Sequence, residues 1–308
     1  MRSARVPPVR TECQTVSKLT HRQHPYLLSA ILALGGTHLS RLLPESNYAT
    51  EAMVDRGRAI EGLNQALNKT NRTFGESDAM LAVCYALTFQ SSYMDDGLQD
   101  FITMVRGCAL VTGKVKSDGV PTAFNIENDT HYRIMSRRLH QLPHIDSDIL
   151  VEAVLALNDV RHLLEHPIDL DFHAAILNTI GALQISSAEG YIQFTLIYRF
   201  FYAMSHEDFA YFINSHNLAI QLLLAYFLAT QFIMAPLAQY EWPDHAPKVG
   251  AEVLLGTIQW AEKIFEKISP LWESYLEWPK KIVRIVRAEI SNQNATGGVL
   301  RPKSRLCE

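Results

Sequence analysis

The sequence predicts an all-α fold, an irregular bundle of about ten helices around an apolar core or pocket. Three observations carry this. Apolar residues recur at intervals of three and four through most of the chain, and no stretch keeps the two-residue alternation of a half-buried strand. Glycine and proline are scarce, at 15 and 13 in 308 residues, which is too little punctuation for many short strands. Hydrophobic residues make up 48% against 19% charged, with a mean hydropathy of −0.01, which excludes disorder over most of the length.

Residues 1–23 read as a basic irregular leader or linker remnant. A first helix is expected from His24 to Leu43. Pro25 suits its first turn, where a missing N–H costs nothing, and Pro44 ends it. Gly35-Gly36 is a candidate kink. A second helix is expected over 47–69, with Ile60, Leu63 and Leu67 on one face. Ser77 is the candidate N-cap of a third over 78–93. A fourth, 97–112, ends at Gly113 as a left-handed cap residue. Residues 114–145 are rich in Gly, Pro, Asn and Asp and read as a long exposed loop with one short helix near 130–140.

Helical text resumes near Asp148. Leu150, Val154, Leu157, Val160 and Leu164 mark one buried face, and Pro167 closes the segment. Further helices are expected at about 173–185, 188–204, 207–213, 216–235, 248–268 and 270–290. Ser269-Pro270 is a start signal of N-cap followed by first-turn proline. The reading is of one helical domain over 24–290, with 291–308 as a basic disordered tail.

The formal charge of −4 is unevenly spread. Residues 1–24 sum to +4 and 280–308 to +5, so 25–279 carries −13. An acidic body with basic ends excludes a domain that binds nucleic acid along its length. The four cysteines, Cys13, Cys84, Cys108 and Cys307, form no C-x-x-C pair, and Cys84 and Cys108 read as small buried hydrophobes. The first 25 residues have no apolar core of a signal peptide. Leu218 to Ala238 holds no charge over a length able to cross a bilayer. Gln221, Thr230, Gln231 and Pro236 within it, and the lack of a tight basic flank, favour a central helix of a helical domain over a membrane span.

His162-Leu-Leu-Glu165-His166 fits the inverted zincin spacing, which sets two imidazoles and a carboxylate on one helix face. Pro167 follows at once and no third ligand is evident, so these residues read as polar positions near a helix end, and no metal or cofactor is assigned. Ser205-His-Glu-Asp holds the residue types of a hydrolytic triad, but sequence neighbours do not converge in space. Ser205 reads better as an N-cap. Tyr191, Phe194, Tyr198, Phe201 and Tyr202 recur at helical spacing, and Tyr226 and Phe227 follow. They form core or the wall of a pocket for a lipophilic ligand. The residues assigned to such a ligand are Phe194, Tyr198, Phe201, Tyr226, Phe227 and Gln231.

Several segments together resemble a known family. HPYLLSAILALGGTHLSRLLP, the stretch from Tyr48 to Leu67, and ESDAMLAVCYALTFQS resemble the first three helices of the regulatory domain of fungal zinc-cluster transcription factors. Arg106-Gly107 in FITMVRGCALV is similar to that family's recurrent Leu-Leu-Arg-Gly segment, without its tryptophan. YRFFYAMSHEDFAYFI, LLLAYFLATQFIMAPLAQYEWPD and YLEWPKKIV resemble the subset like sterol uptake control proteins. The resemblance implies a nuclear transcription regulator and not an enzyme, with an apolar pocket that takes a sterol-like ligand in some members. It implies control of sterol or secondary-metabolite genes. The family's six-cysteine, two-zinc DNA-reading cluster is expected to be missing, since Cys13 is the one cysteine in the N-terminal region. Direct DNA binding is therefore not expected. Partners expected are a lipophilic small molecule and either a second copy or a full-length zinc-cluster factor, with no membrane. Two other classes stay open: an enzyme acting on a lipophilic metabolite in a helical cavity, and a non-catalytic scaffold.

Overall fold

The structure, a computed structural model, describes residues 24–69, 73–119, 122–124, 135–136, 138–241, 251–296 and 306–307. Among these residues the fold is all-α, as the sequence predicts, with eleven α-helices and four short 3-10 segments. The chain divides into two compact units, Met1–Met94 with Asp100–Ile126, and Asp95–Gln99 with Glu127–Glu308. The basic leader, most of the glycine- and asparagine-rich stretch up to 134, and most of the terminal tail lie outside the described residues.

In the first unit α1 is Pro25–Leu42, α2 Tyr48–Leu67, α3 Phe74–Ser92 and α4 Leu98–Asp118. The α1 helix runs straight through Gly35-Gly36. The α2 helix passes close at Gly36, where a Cβ would lie 3.1 Å from the Ala52 Cβ, and closer still at Gly62, where a Cβ would overlap the Tyr26 side chain. Leu27, Ala30, Ala59, Leu63, Met80, Leu81, Val83, Leu87, Val111 and Val115 form the core of this unit. Small residues at the contacts let the helix axes approach while the leucines fill the space between them.

In this unit two helix boundaries differ from the sequence expectation. Thr73, not Ser77, caps α3: its hydroxyl accepts from the Glu76 N–H and the Glu76 carboxylate accepts from the Thr73 N–H. Ser77 is fully buried inside the first turn. The α4 helix passes through Gly113 and ends at Gly119, whose φ of +66° is the left-handed geometry that glycine adopts without strain. The Lys114–Asp118 ion pair of 3.0 Å closes the added turn.

In the second unit α5 is Ser147–Val160, α6 Pro167–Ile185, α7 Ser187–Ala203, α8 His206–Phe212, α9 Leu218–Ala238, α10 Ala251–Lys267 and α11 Glu277–Thr296. Pro167 opens α6 where the sequence reading has it close the preceding helix. The fixed proline φ suits a first helical residue, and His166 supplies the cap by accepting the Ile168 N–H on Nδ1 at 3.2 Å. Ser205 and Ser269 cap as expected, although a 3-10 turn over Pro270–Leu276 precedes α11.

The α9 helix is central, packing against α6, α7, α10 and α11. By length and composition it is apolar enough to cross a membrane, yet 78% of its most apolar window is buried inside the protein. It is apolar on nearly every face because neighbouring helices cover nearly every face. The terminal segment is not wholly irregular. The α11 helix continues to Thr296, Leu306 is buried, its carbonyl accepts the Asp146 N–H at 3.0 Å, and Cys307 bridges to Ile145. Leu306 is an apolar residue in a polar tail, and its burial is what holds this end.

Candidate ligand-binding site

The assigned ligand residues lie on α7 and α9, both in the second unit. The α7 text YIQFTLIYRFF puts Phe194, Tyr198 and Phe201 at i, i+4 and i+7, one stripe of the helix. The stripe meets Phe227 of α9. Ring centroids lie 5.6 Å apart for Phe194–Tyr198, 6.3 Å for Tyr198–Phe227 and 5.6 Å for Phe201–Phe227, mostly edge to face. Gln231, one turn beyond Phe227, donates its amide to the Tyr198 hydroxyl at 3.0 Å. Five of the six residues are thus brought together. Phe201 and Phe227 are fully buried, while Phe194, Tyr198 and Gln231 stay partly exposed. The polar pair therefore sits at the edge of an apolar floor.

Tyr226 stands apart from this group. It follows α9 round to α11 and stacks on Trp278, with centroids 5.6 Å apart and planes inclined by 15°. Its hydroxyl donates to the Tyr275 carbonyl at 2.7 Å and lies 3.3 Å from that of Ala156. Burial pushes its phenol well above the ordinary range. Consecutive helical residues are 100° apart, so Tyr226 and Phe227 cannot share one wall.

The sequence reading missed Phe172 of α6 and Phe200 of α7. Phe172 lies 5.3 Å from Phe200, 4.9 Å from Phe212 and 5.9 Å from Phe227, at the centre of the ring cluster. A lone Phe in apolar helical text gives no signal of such a place.

Among the described residues, clefts open on the second unit at two places away from this ring cluster. One, of about 520 Å³, has Tyr226, Trp278 and Leu155 on its walls with Lys281 and Arg284 at its side. Lys281 is committed to Glu152 at 2.6 Å. The other, of about 620 Å³, is lined by His166, Asp169, Tyr211, His216, Asn217 and Trp272. Tyr211 stacks on His166 at 3.9 Å and donates its hydroxyl to Asp169 at 3.1 Å. Burial raises the Asp169 carboxyl, and bonds from Tyr211 and the His166 backbone offset this in part. Asp169 and His166 are the cap of α6, and Tyr211 locks that cap, so this trio has a structural task.

The inverted zincin spacing does not survive folding. Arg161–Leu163 is a 3-10 turn, residues 164–166 leave the helix, and the two imidazoles find different partners: Tyr275 for His162 and the α6 cap for His166. No group of three metal-ligating side chains occurs among the described residues.

The order of aromatic residues, the capped helices and the acidic body can be set against known proteins. Residues 14–141 match the family model of the fungal specific transcription factor domain. The match covers most of the first unit and the start of the second, and ends before the aromatic cluster of α6, α7 and α9. No curated protein and no solved structure matches the chain.

Proposed function

We propose that this chain is a fungal transcription regulator that works through its helical body, in the nucleus, and is not an enzyme. The observation that carries the reading is the match of residues 14–141 to the fungal specific transcription factor domain. The charge distribution supports it: a body at −13 repels a polyanion, so DNA is reached through a partner rather than through this surface. That partner is a second copy or a full-length zinc-cluster factor.

In the finer reading the second unit senses a lipophilic small molecule of sterol-like character. The partly exposed Phe194, Tyr198 and Gln231 form the receiving surface, backed by the buried Phe201 and Phe227, and Tyr226 braces the far side of α9. The support is chemical. An apolar ring floor with one hydrogen-bonding pair at its edge suits a ligand with a large apolar body and a single hydroxyl. The regulated genes would be those of sterol or secondary metabolism.

Two measurements test the reading. In a mobility-shift assay, 1–308 alone leaves a target promoter fragment unshifted and supershifts it once a full-length factor is added. A specific shift by the chain alone overturns the proposal. For ligand sensing, a fluorescent sterol is titrated into the full chain and into Gln231→Leu. Saturable binding weakened about tenfold in the variant is expected from the loss of one well-placed hydrogen bond. Absence of saturable binding removes the sensing role and leaves the regulator reading standing.

A further inference from the structure

Cys84 and Cys108 are 24 positions apart in the sequence, yet they meet in the core of the first unit. Cys84 lies on α3 and is 3% exposed, whereas Cys108 on α4 is partly exposed. Thr88, one turn beyond Cys84 on the same face, donates its hydroxyl to the Cys84 carbonyl at 2.8 Å. The same hydroxyl oxygen lies 3.4 Å from the Cys108 sulfur. Cys84 belongs to the apolar cluster against which Cys108 packs, so Thr88 and Cys84 on one face of α3 both border the Cys108 side chain. Cys108 is thus the more exposed of the two and Cys84 the more deeply buried.

The pair is chemically unequal. Contact with the Cys84 thiol, and then with Thr88, holds Cys108 below the ordinary thiol range. Cys84 is pushed well above it by the same contact and by burial. Tyr85 is the titratable neighbour of both, and burial raises its phenol. A partly exposed cysteine with a lowered thiol pKa, next to a second and more buried cysteine, is the arrangement of a nucleophilic and a resolving cysteine.

We propose that Cys84 and Cys108 form a peroxide-responsive dithiol, which closes to a disulfide linking α3 to α4. The oxidant is a hydroperoxide, with hydrogen peroxide as the simplest case. The Cys108 sulfur attacks one peroxide oxygen: an S–O bond forms, the O–O bond breaks, and the departing hydroxide takes the Cys108 proton as water. The Cys84 sulfur then attacks the Cys108 sulfenic acid. The S–S bond forms, the S–O bond breaks, and the leaving hydroxide takes the Cys84 proton as a second water. Two thiols give up two electrons in all, and one peroxide becomes two waters. The cross-link falls two turns before Gln90 and Ser91, which hold the buried Arg56, so oxidation bears on the polar centre of the unit.

The test treats the full chain with one equivalent of hydrogen peroxide, blocks remaining thiols with N-ethylmaleimide and maps the peptides by mass spectrometry. The expected result is one cross-linked peptide pair joining Cys84 to Cys108, two hydrogens lighter than the reduced pair, with two of the four thiols lost to alkylation. In Cys84→Ser the reaction stops at a Cys108 sulfenic acid that dimedone traps. Full alkylation of both cysteines in the treated wild-type protein overturns the proposal. So does a disulfide that takes Cys13 or Cys307 in preference. The wild-type map decides the question even where the variant does not fold.

Discussion

Arg56 and Asp100 form an ion pair of 3.0 Å in which the arginine side chain is 5% exposed and the carboxylate 47%. The guanidinium is held by more than its counterion. It donates to Gln90 Oε1 at 2.9 Å, to the Leu87 carbonyl and to the Ser91 hydroxyl. Gln90 in turn donates to the Thr37 hydroxyl at 2.9 Å. One buried charge thereby ties α1, α2, α3 and α4 together. Arg56→Met strands Gln90 Oε1 in the core and is expected to cost about 3 kcal/mol. Asp100→Asn removes a partly solvated partner and is expected to cost about 1 kcal/mol or less. Urea unfolding followed by circular dichroism checks the order, and equal costs would contradict it.

The α3 cap carries an acid-sensitive element. Lys69, 2.6 Å from Glu76, and the Thr73 N–H hold the Glu76 carboxyl down at about 2, from an ordinary 4.5. The folded state thus favours the charged form. Its contribution is complete above pH 4.5 and is lost as pH falls from there toward 2. Glu76→Gln should flatten the stability profile in that window, and Thr73→Ala should cost about 1 kcal/mol at neutral pH. Chemical denaturation at pH 6 and pH 3.5 reads both effects.

His173 gives the second unit its own acid response at higher pH. The residue is 5% exposed and Nε2 lies 2.8 Å from the Leu157 carbonyl. Burial is the main cause of a pKa below the ordinary 6.5. The unfolded chain therefore binds the proton more readily, and stability declines as pH falls below about 6.5. His173→Gln keeps a donor to the carbonyl and removes the titration. Melting temperatures of wild type and variant should converge as pH is lowered from 7 toward 5.

Tyr226→Phe keeps the ring stacked on Trp278 and removes only the hydroxyl. The Tyr275 carbonyl then loses its 2.7 Å donor in a partly buried place. A loss of about 1–2 kcal/mol is expected, with no change in helix content by circular dichroism. An unchanged midpoint would mean that water replaces the hydroxyl.

Two glycines in the same kind of helix should respond oppositely to alanine. Gly57 in α2 has nothing within 4 Å of a built Cβ, so Gly57→Ala should stabilise by about 1 kcal/mol through helix propensity. Gly190 in α7 faces Leu183 of α6, where an added methyl would overlap the leucine side chain and lie 3.1 Å from its Cα. Overpacking there is expected to cost about 1–3 kcal/mol, enough to outweigh the propensity gain. Thermal melts of the two variants should move in opposite directions.

The capping errors show where sequence reading stops. Thr73-Phe-Gly-Glu76 is a capping box in plain text, but Gly75 suggests a loop and Ser77 offers a rival cap. The rival fails because its position belongs to the buried face. Gly113 fails as a terminator for the converse reason: α4 packs Val111 and Val115 against the core, and this holds the helix together past a weak residue. The aromatic site divides in the same way. Helical spacing is enough to gather Phe194, Tyr198 and Phe201. The same spacing turns Tyr226 away from Phe227, but only packing shows that Tyr226 meets Trp278 and brings in Phe172 from a distant helix.

By itself the sequence determined the all-α class, the position of most helices, the central place of α9 and the split of charge between an acidic body and basic ends. Those properties are local or additive: periodicity, end signals and charge can be read along a line. The tertiary structure decided the two-unit division, the buried Arg56 network and the meeting of Cys84 with Cys108. Each depends on residues tens of positions apart, and no local pattern encodes which helix faces which. That choice is made by the collective fit of apolar faces and by the cost of leaving any buried polar group without a partner.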